Sequence, residues 1–260
     1  MAKHLLAVVT GASSGIGFEL AKLCAQDGYD LVIAADEDEI EEAAQVFRKE
    51  DVKVDAVKCD LATIDGVDKL LAKIGDRPVD ALLANAGRGL GHAFLDQKFD
   101  DILHVINTNV VGTVYLIHKV GKTMQDRGDG RILIVGSIAG FIPGAYQAVY
   151  NASKAFLDSF SFALREELKD SGVTVTCLMP GATDTEIFER ADMMDTKIAQ
   201  SSKDSAADVA RQGYEAMMDG KGDVVTGWMN KLQTAIANVT PAGILAKSHK
   251  KLAAPGTGNK

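Results

Sequence analysis

Apolar residues fall along this chain in two alternating rhythms. A continuous apolar run at residues 5–9 and largely apolar runs at 31–35, 81–84, 131–135 and 173–178 are too short for helices and have the character of strands buried on both faces. Residues 52–58 read as a further strand. Between the runs lie longer stretches whose apolar positions return every three or four residues, as on one face of a helix. Ile16, Leu20 and Leu23 mark a helix over 15–27 that Gly28 ends, and Ile40, Ala44 and Phe47 anchor an acidic helix over 38–50. Further helices are predicted over 64–74, 99–125 and 148–171, the second of them long. Strand and helix alternating through Leu178 predict an α/β fold, a doubly wound parallel sheet with helices on both faces and ligands at the carboxyl ends of the strands.

The rhythm breaks after Met179-Pro180-Gly181. Residues 182–203 are polar and mixed, yet Ile187, Phe188, Met193 and Met194 are too many large apolar groups for a solvated loop, so this segment is expected to be a lid over a site. Ser205 caps a helix over 206–218 and a short last strand follows at 223–226. The tail from Trp228 carries Leu232, Ile236, Val239, Ile244 and Leu245 and ends in a small, polar stretch at 254–260 that is expected to be disordered. One domain over 1–227, with 228–260 as its extension, is the expected organisation; no linker or repeat interrupts it.

Composition narrows the function. A 260-residue chain with 47% hydrophobic and 25% charged residues can bury a full core. A net charge of −8 without a basic run argues against nucleic acid as a partner. Cys24, Cys59 and Cys177 are scattered, lack ligand spacing and read as core residues in a reducing compartment, with no metal expected. The apolar run near the N-terminus stops at Thr10 and Gly11, and no stretch reaches the ~18 apolar residues of a membrane span. The expectation is a cytoplasmic protein.

Two patterns carry chemistry. Tyr150 and Lys154 are four residues apart on a predicted helix and so share a face, where a cation lowers the pKa of a phenol from its usual ~10. Such a pair also arises by chance on many helices. Ser137, upstream in the same stretch, could orient a substrate oxygen. Thr10-Gly11-Ala12-Ser13-Ser14-Gly15-Ile16-Gly17 joins the first strand to the first helix; it is either a tight turn or a place where backbone approaches a pyrophosphate at a helix N-terminus.

Together with Asn85-Ala86-Gly87 after the fourth strand, Asn109 in the long helix and Pro180-Gly181 after the sixth strand, these motifs resemble the short-chain dehydrogenase/reductase family, single-domain branch. The resemblance runs in order from residue 5 to about residue 185 and implies a Rossmann fold. It implies that Tyr150 is the general acid and base of hydride transfer and that Lys154 tunes the tyrosine and holds the nicotinamide ribose. Ser137 would bond the substrate oxygen, and Asn109 would hold a water in a proton relay. It also implies cofactor contacts from Gly11, Ser13, Ser14, Gly15, Ile16 and Gly17 at the phosphates and adjoining ribose. Asp60 and Leu61 would lie at the adenine, Asn85, Ala86 and Gly87 beside the cofactor, and Pro180, Gly181, Thr183 and Thr185 toward the carboxamide.

Asp36 closes the second strand in an acidic run, which favours NAD(H) because a carboxylate accepts from ribose hydroxyls and repels a 2′-phosphate. NADP(H) stays open, since the strand can instead end at Ala35, and an acidic helix start would have the same composition. Arg88, His92, Ile138, Phe141, Tyr146, Ile187 and Phe188 are expected to rim a partly apolar pocket for a small-molecule substrate, although His92 also fits an ordinary loop residue. Many relatives end in an ITG-x₄-DGG segment, whereas here Val225-Thr226-Gly227 leads to Trp228-Met229-Asn230. That tail could close the pocket, pack on another subunit or touch a membrane, with the membrane ranked last because basic residues are few. Small residues Ala152, Ala155, Ser159 and Ala163 on the Tyr150 helix allow close helix packing, and the resemblance implies a homodimer or homotetramer.

The sequence therefore points to an NAD(P)-dependent oxidoreductase that interconverts a secondary alcohol and a ketone or related carbonyl. The alternative within enzymes is a 3-oxoacyl thioester reductase, with Arg127 and Arg131 toward an acidic carrier protein. The alternative outside them is a dinucleotide-binding sensor or scaffold, against which Asn109, Ser137, Tyr150 and Lys154 together argue.

Overall fold

The structure, a computed structural model, describes residues 5–259. Residues 1–4 and 260 lie outside it, and with them the last residue of the tail end expected to be disordered. The apolar runs become β1 (Leu6–Thr10), β2 (Asp30–Ala35), β3 (Val54–Lys58), β4 (Ala81–Ala84), β5 (Gly130–Val135) and β6 (Val173–Met179), joined by a short β7 (Asp223–Val225). They pair in parallel in the order β3-β2-β1-β4-β5-β6-β7. Side chains alternate across a strand, so Ala7 and Val9 of β1 enter one core layer while Leu6 and Val8 enter the other. This is why a central strand such as β1 reads as an unbroken apolar run.

Helices α1 (Gly15–Gln26), α2 (Glu39–Phe47) and α9 (Ala206–Met218) cover the first layer with Leu20, Phe47 and Met217. On the other face, α3 (Ile64–Ile74), α5 (Thr113–Arg127) and α6 (Ala148–Leu168) supply Leu70, Met124 and Leu157. Side-chain caps set two of the starts: Thr63 accepts from the Gly66 N–H at 3.0 Å for α3, and Ser205 from Asp208 N–H at 3.4 Å for α9.

The predicted long helix is interrupted. α4 (Phe99–Ile106) passes into a wide π turn over Asn107–Gly112 before α5 begins. The wider turn aims the fully buried Asn109 at the loop after β4, where its Oδ1 accepts from Arg88 N–H at 2.8 Å and its Nδ2 donates to Arg88 O at 3.0 Å.

The segment expected as a lid holds two short helices, α7 (Ile187–Arg190) and α8 (Lys197–Gln200), around a small core of Phe188, Ala191, Met193 and Ala199. The tail folds into α10 (Trp228–Val239) and α11 (Ala242–Ala253), and Ala253 enters that same small core. The expectation of a disordered end is corrected over 254–259. Gly256 N–H donates to Asp195 Oδ2 at 2.6 Å, Gly258 N–H to Asp195 O at 2.8 Å, and Thr257 Oγ1 accepts from Lys197 N–H at 3.1 Å. Small polar residues read as unstructured only until their partners in the lid are known. Among the described residues no helix is long and apolar enough to cross a membrane.

Candidate active site

Strand order reverses between β1 and β4, and the crevice outside their carboxyl ends is where such a sheet binds ligands. Asn85, one residue past β4, ties the two ends together. Its Nδ2 donates to Thr10 O at 3.0 Å and Gly11 O at 3.1 Å, while Thr10 Oγ1 accepts from the N–H groups of Asn85 and Ala86, both at 3.0 Å. Gly17 allows α1 to start against this knot, because a methyl group there would lie 2.0 Å from Gly11 O and 2.4 Å from Asn85 Nδ2. The N-cap Ser14 makes no side-chain capping bond, so the first-turn N–H groups of α1 keep their capacity for an anion.

A cavity of about 780 Å³ runs along this edge of the sheet. One end is walled by Asp36, Asp60 and Leu61, and its middle by the glycine turn (Gly11, Ser13, Ser14, Gly15, Ile16) and by Asn85, Ala86 and Gly87. The other end holds Ser137, Ile138, Tyr150 and Lys154, roofed by Pro180, Gly181, Thr183, Thr185, Ile187 and Phe188. Of the remaining expected residues, Gly17 and Asn109 stand behind the wall. Phe141 lies in the 3-10 turn Ile138–Phe141, outside the cavity wall. Tyr146, at φ +68°, packs on the lid core, and His92, at φ +72°, pairs with Asp192 at 2.8 Å.

Arg88 was expected at the substrate rim. It lines the cavity, yet its Nη1 lies 3.3 Å from Asp36 Oδ2 and 3.2 Å from His104 Nε2, and His104 is in turn 3.5 Å from Asp60 Oδ1. Its charge therefore serves the Asp36 end. β2 ends at Ala35, which makes Asp36 the first residue beyond the strand.

Tyr150 and Lys154 lie on one face of α6 as their spacing requires. Ser137 and Tyr150 both line the cavity, with Ser137 Oγ donating to Pro180 O at 3.3 Å and accepting from Ala139 N–H at 3.1 Å; Lys154 Nζ donates to Val135 O at 2.8 Å and lies 5.9 Å from the Tyr150 ring centroid. A methyl group on Gly87 would lie 3.4 Å from Lys154 Nζ and 3.5 Å from Asn109 Oδ1, so both groups converge on that residue.

The electrostatics differ from the expectation that Lys154 lowers the phenol's pKa. Burial pushes Tyr150 up to about 12, the Ser137 hydrogen bond draws it down, and the charge of Asp158 pushes it further up. Burial also brings Lys154 down to about 8, against the carboxylate of Asp158.

Asp158 is the residue that sequence reasoning missed, although its place four residues after Lys154 on the same face was available as a signal. Its Oδ1 accepts from Ser137 N–H at 3.3 Å and from Cys177 Sγ at 3.6 Å, and burial raises its carboxyl to about 6. Three further contributions come from the lid and tail. Arg190 of α7 reaches Glu37 at 2.8 Å and also pairs with Glu186; α10 brings Met229 and Ile236 to the cavity wall; α11 brings Leu245 and Leu252.

A family model described as short chain dehydrogenase matches residues 5–195. An uncharacterized oxidoreductase of Staphylococcus epidermidis is 31% identical over 75% of this chain and 85% of its own. A Streptomyces coelicolor protein with a provisional ketoacyl reductase name is 34% identical over 69% of this chain and 71% of its own. Among solved structures, a short-chain dehydrogenase from Sphingobium yanoikuyae in complex with NADPH superposes with a TM-score of 0.81 at 25% identity, covering 91% of this chain and 96% of that one.

Proposed function

Because the chain belongs to the short chain dehydrogenase family, we propose that this oxidoreductase interconverts a secondary alcohol and a ketone or related carbonyl, with a nicotinamide dinucleotide as hydride carrier. The observation that carries the reading is the meeting of Ser137 and Tyr150 in one cavity wall, with Lys154 one helical turn beyond the tyrosine. A carbonyl that gains hydride leaves negative charge on its oxygen. Two hydroxyl donors in one wall of the cavity are placed to meet that charge.

Tyr150 gives its proton to that oxygen in reduction and takes one in oxidation. Ser137 donates to the same oxygen, and its own N–H is held by Asp158. Lys154 brings positive charge beside the phenol, and Asn109, bonded to Ser153 Oγ at 2.9 Å, completes a polar route away from it. A nicotinamide dinucleotide held along the glycine turn would supply or take up the hydride at the substrate carbon.

The residues present fit such a group: an uncapped helix start at a glycine turn suits a pyrophosphate, and Asp36 suits ribose hydroxyls. The NADPH bound by the Sphingobium yanoikuyae relative keeps both cofactors in view, and Arg88 beside Asp36 supports the same breadth. NAD(H) remains the favoured partner. Residues 1–227 form the catalytic unit in this reading, and the extension over 228–260 completes the pocket. Exposed Phe99, Leu103, Phe156 and Phe162 on α4 and α6 support a homodimer, and the free, buried thiols of Cys24, Cys59 and Cys177 suit the cytoplasm.

The ketoacyl name of the Streptomyces coelicolor relative favours a second reading, a 3-oxoacyl thioester reductase. Arg127 gives it little help, because its Nη2 is held by Val79 O at 2.7 Å and Asp129 O at 2.8 Å.

The test follows NADH and NADPH absorbance over a panel of ketones, alcohols and 3-oxoacyl thioesters, for the parent and for Tyr150→Phe. Turnover by the parent and a loss of about 10²–10⁴-fold in the variant, with cofactor binding retained, are expected. Cofactor binding without turnover across the panel returns the protein to the sensor or scaffold class.

A further inference from the structure

α10 is built inside out. At 3.6 residues per turn, Asn230, Thr234 and Ala237 share one face, and that face is turned to the protein: Thr234 and Ala237 are buried, and Asn230 Nδ2 bonds Asp204 Oδ2 at 3.0 Å and Thr226 O at 2.8 Å. The opposite face carries Trp228, Leu232 and Val239, of which Trp228 is 74% and Val239 83% exposed. Scattered exposed apolar residues are ordinary, but a continuous apolar ridge aimed away from the core marks an interaction site.

The charge of the tail that carries the ridge points to an anionic partner. From Val224 to Lys260 the sequence contains Lys231, Lys247, Lys250, Lys251 and Lys260 and no aspartate or glutamate, in a chain whose net charge is −8. Lys247, Lys250 and Lys251 stand exposed on α11, which follows α10 directly. The acids that approach these helices are engaged, Asp204 by Asn230 and Asp195 by Gly256 N–H at 2.6 Å.

We propose that the outward face of α10, with the lysines of α11, docks this protein on an anionic lipid surface. Tryptophan and aliphatic side chains settle at headgroup depth, while lysines extend to the acidic headgroups. A second copy of the chain fits less well. A two-fold contact sets a surface against itself and would bring the same lysines face to face, and lysine is depleted at protein interfaces. The sequence alone ranked a membrane last because basic residues are few; the absence of acids beside an outward apolar ridge reverses that order. Trp228 of the ridge itself lines the cavity, as do Met229 and Ile236 of α10 and Leu245 and Leu252 of α11, so the docked face borders the place where an apolar substrate would enter. The docking stands without the reaction assigned above.

Trp228 is the one tryptophan of the chain and stands on this ridge at the edge of the cavity, so its emission is read with no substrate or dinucleotide added. The full-length protein is mixed with vesicles of phosphatidylcholine and phosphatidylglycerol in equal parts, with phosphatidylcholine vesicles as the control. The expected result is a blue shift of Trp228 and co-sedimentation with the anionic vesicles, reduced by salt and weak with phosphatidylcholine. Replacing Lys247, Lys250 and Lys251 by glutamine lowers partitioning roughly fivefold per lysine. Leu232→Glu abolishes it while far-ultraviolet circular dichroism stays unchanged. Emission and sedimentation that ignore anionic vesicles would overturn the proposal. So would an emission already blue-shifted without lipid together with a fall in mass on Leu232→Glu, because a second copy would then own the face.

Discussion

Tyr150, Lys154 and Asp158 stand one helical turn apart on α6, and burial pushes each of them toward its neutral form. The Asp158 carboxylate raises the pKa of both the phenol and the ammonium, which opposes the phenolate of Tyr150 and favours the ammonium of Lys154. Asp158→Asn removes that charge, so both values fall. In alcohol oxidation the reactive form is the deprotonated phenol, so the rising limb of the kcat profile is expected to move to lower pH. A change in rate with no change in midpoint would reduce Asp158 to a packing role. At the opposite end of the cavity, Asp36 meets Arg88 at 3.3 Å, an exposed pair worth little to stability but well placed to choose between ribose and ribose phosphate. Asp36→Ala leaves the guanidinium for a 2′-phosphate and is expected to shift the NADH to NADPH preference toward NADPH by roughly tenfold, as a charge-assisted hydrogen bond allows. An unchanged ratio of kcat/KM values for the two cofactors defeats that assignment.

At the scale of elements, the turn from β1 into α1 is the least forgiving. Gly17→Ala sets a methyl group against the Gly11 carbonyl and the Asn85 amide, and the backbone cannot yield without moving the knot. Overpacking of this kind costs about 1–3 kcal/mol, which in a chain of this size lowers Tm by roughly 2–4 °C for each kcal/mol, and weaker cofactor binding should accompany it. A thermal melt and a cofactor titration check both. This turn, the strands and the Tyr150 helix were legible in the sequence because local rules dictate them. A strand buried on both faces must be apolar throughout, and two side chains four apart on a helix must share a face. The π turn was not legible, since it depends on Asn109 bonding the backbone of Arg88, on a loop that no local pattern brings near. Nor was the direction of the Arg88 side chain, which neighbours a motif but answers to Asp36 and His104. α10 was hidden for a different reason. Trp228, Leu232, Ile236 and Val239 have helical spacing, but helix periodicity names a face without saying whether the core or something outside the protein receives it.

At the scale of the whole molecule, the cavity is closed by segments that meet from distant parts of the chain. Arg190 of the lid pairs with Glu37 beyond β2, and Ser14 of the glycine turn donates to Glu186 at 3.3 Å, which fastens the lid across the cofactor end. The tail fastens its other end, through Asp195 to Gly256 and Gly258 and through His249 Nδ1 to Ala145 O at 2.9 Å. Exposed ion pairs and loop hydrogen bonds add little to global stability, so these fastenings should govern local opening. Asp195→Ala tests this, because it removes the Oδ2 acceptor of Gly256 N–H without touching the cavity wall. The expected outcome is faster tryptic cleavage at Lys197 and Lys203 and a raised KM for substrate, with Tm nearly unchanged. If cleavage and KM both hold at the parental values, the lid is held by its own core of Phe188, Ala191 and Met193, and the tail's contribution is confined to its walls of the pocket. If Tm falls together with faster cleavage, the lid and tail unfold with the main sheet as one cooperative unit.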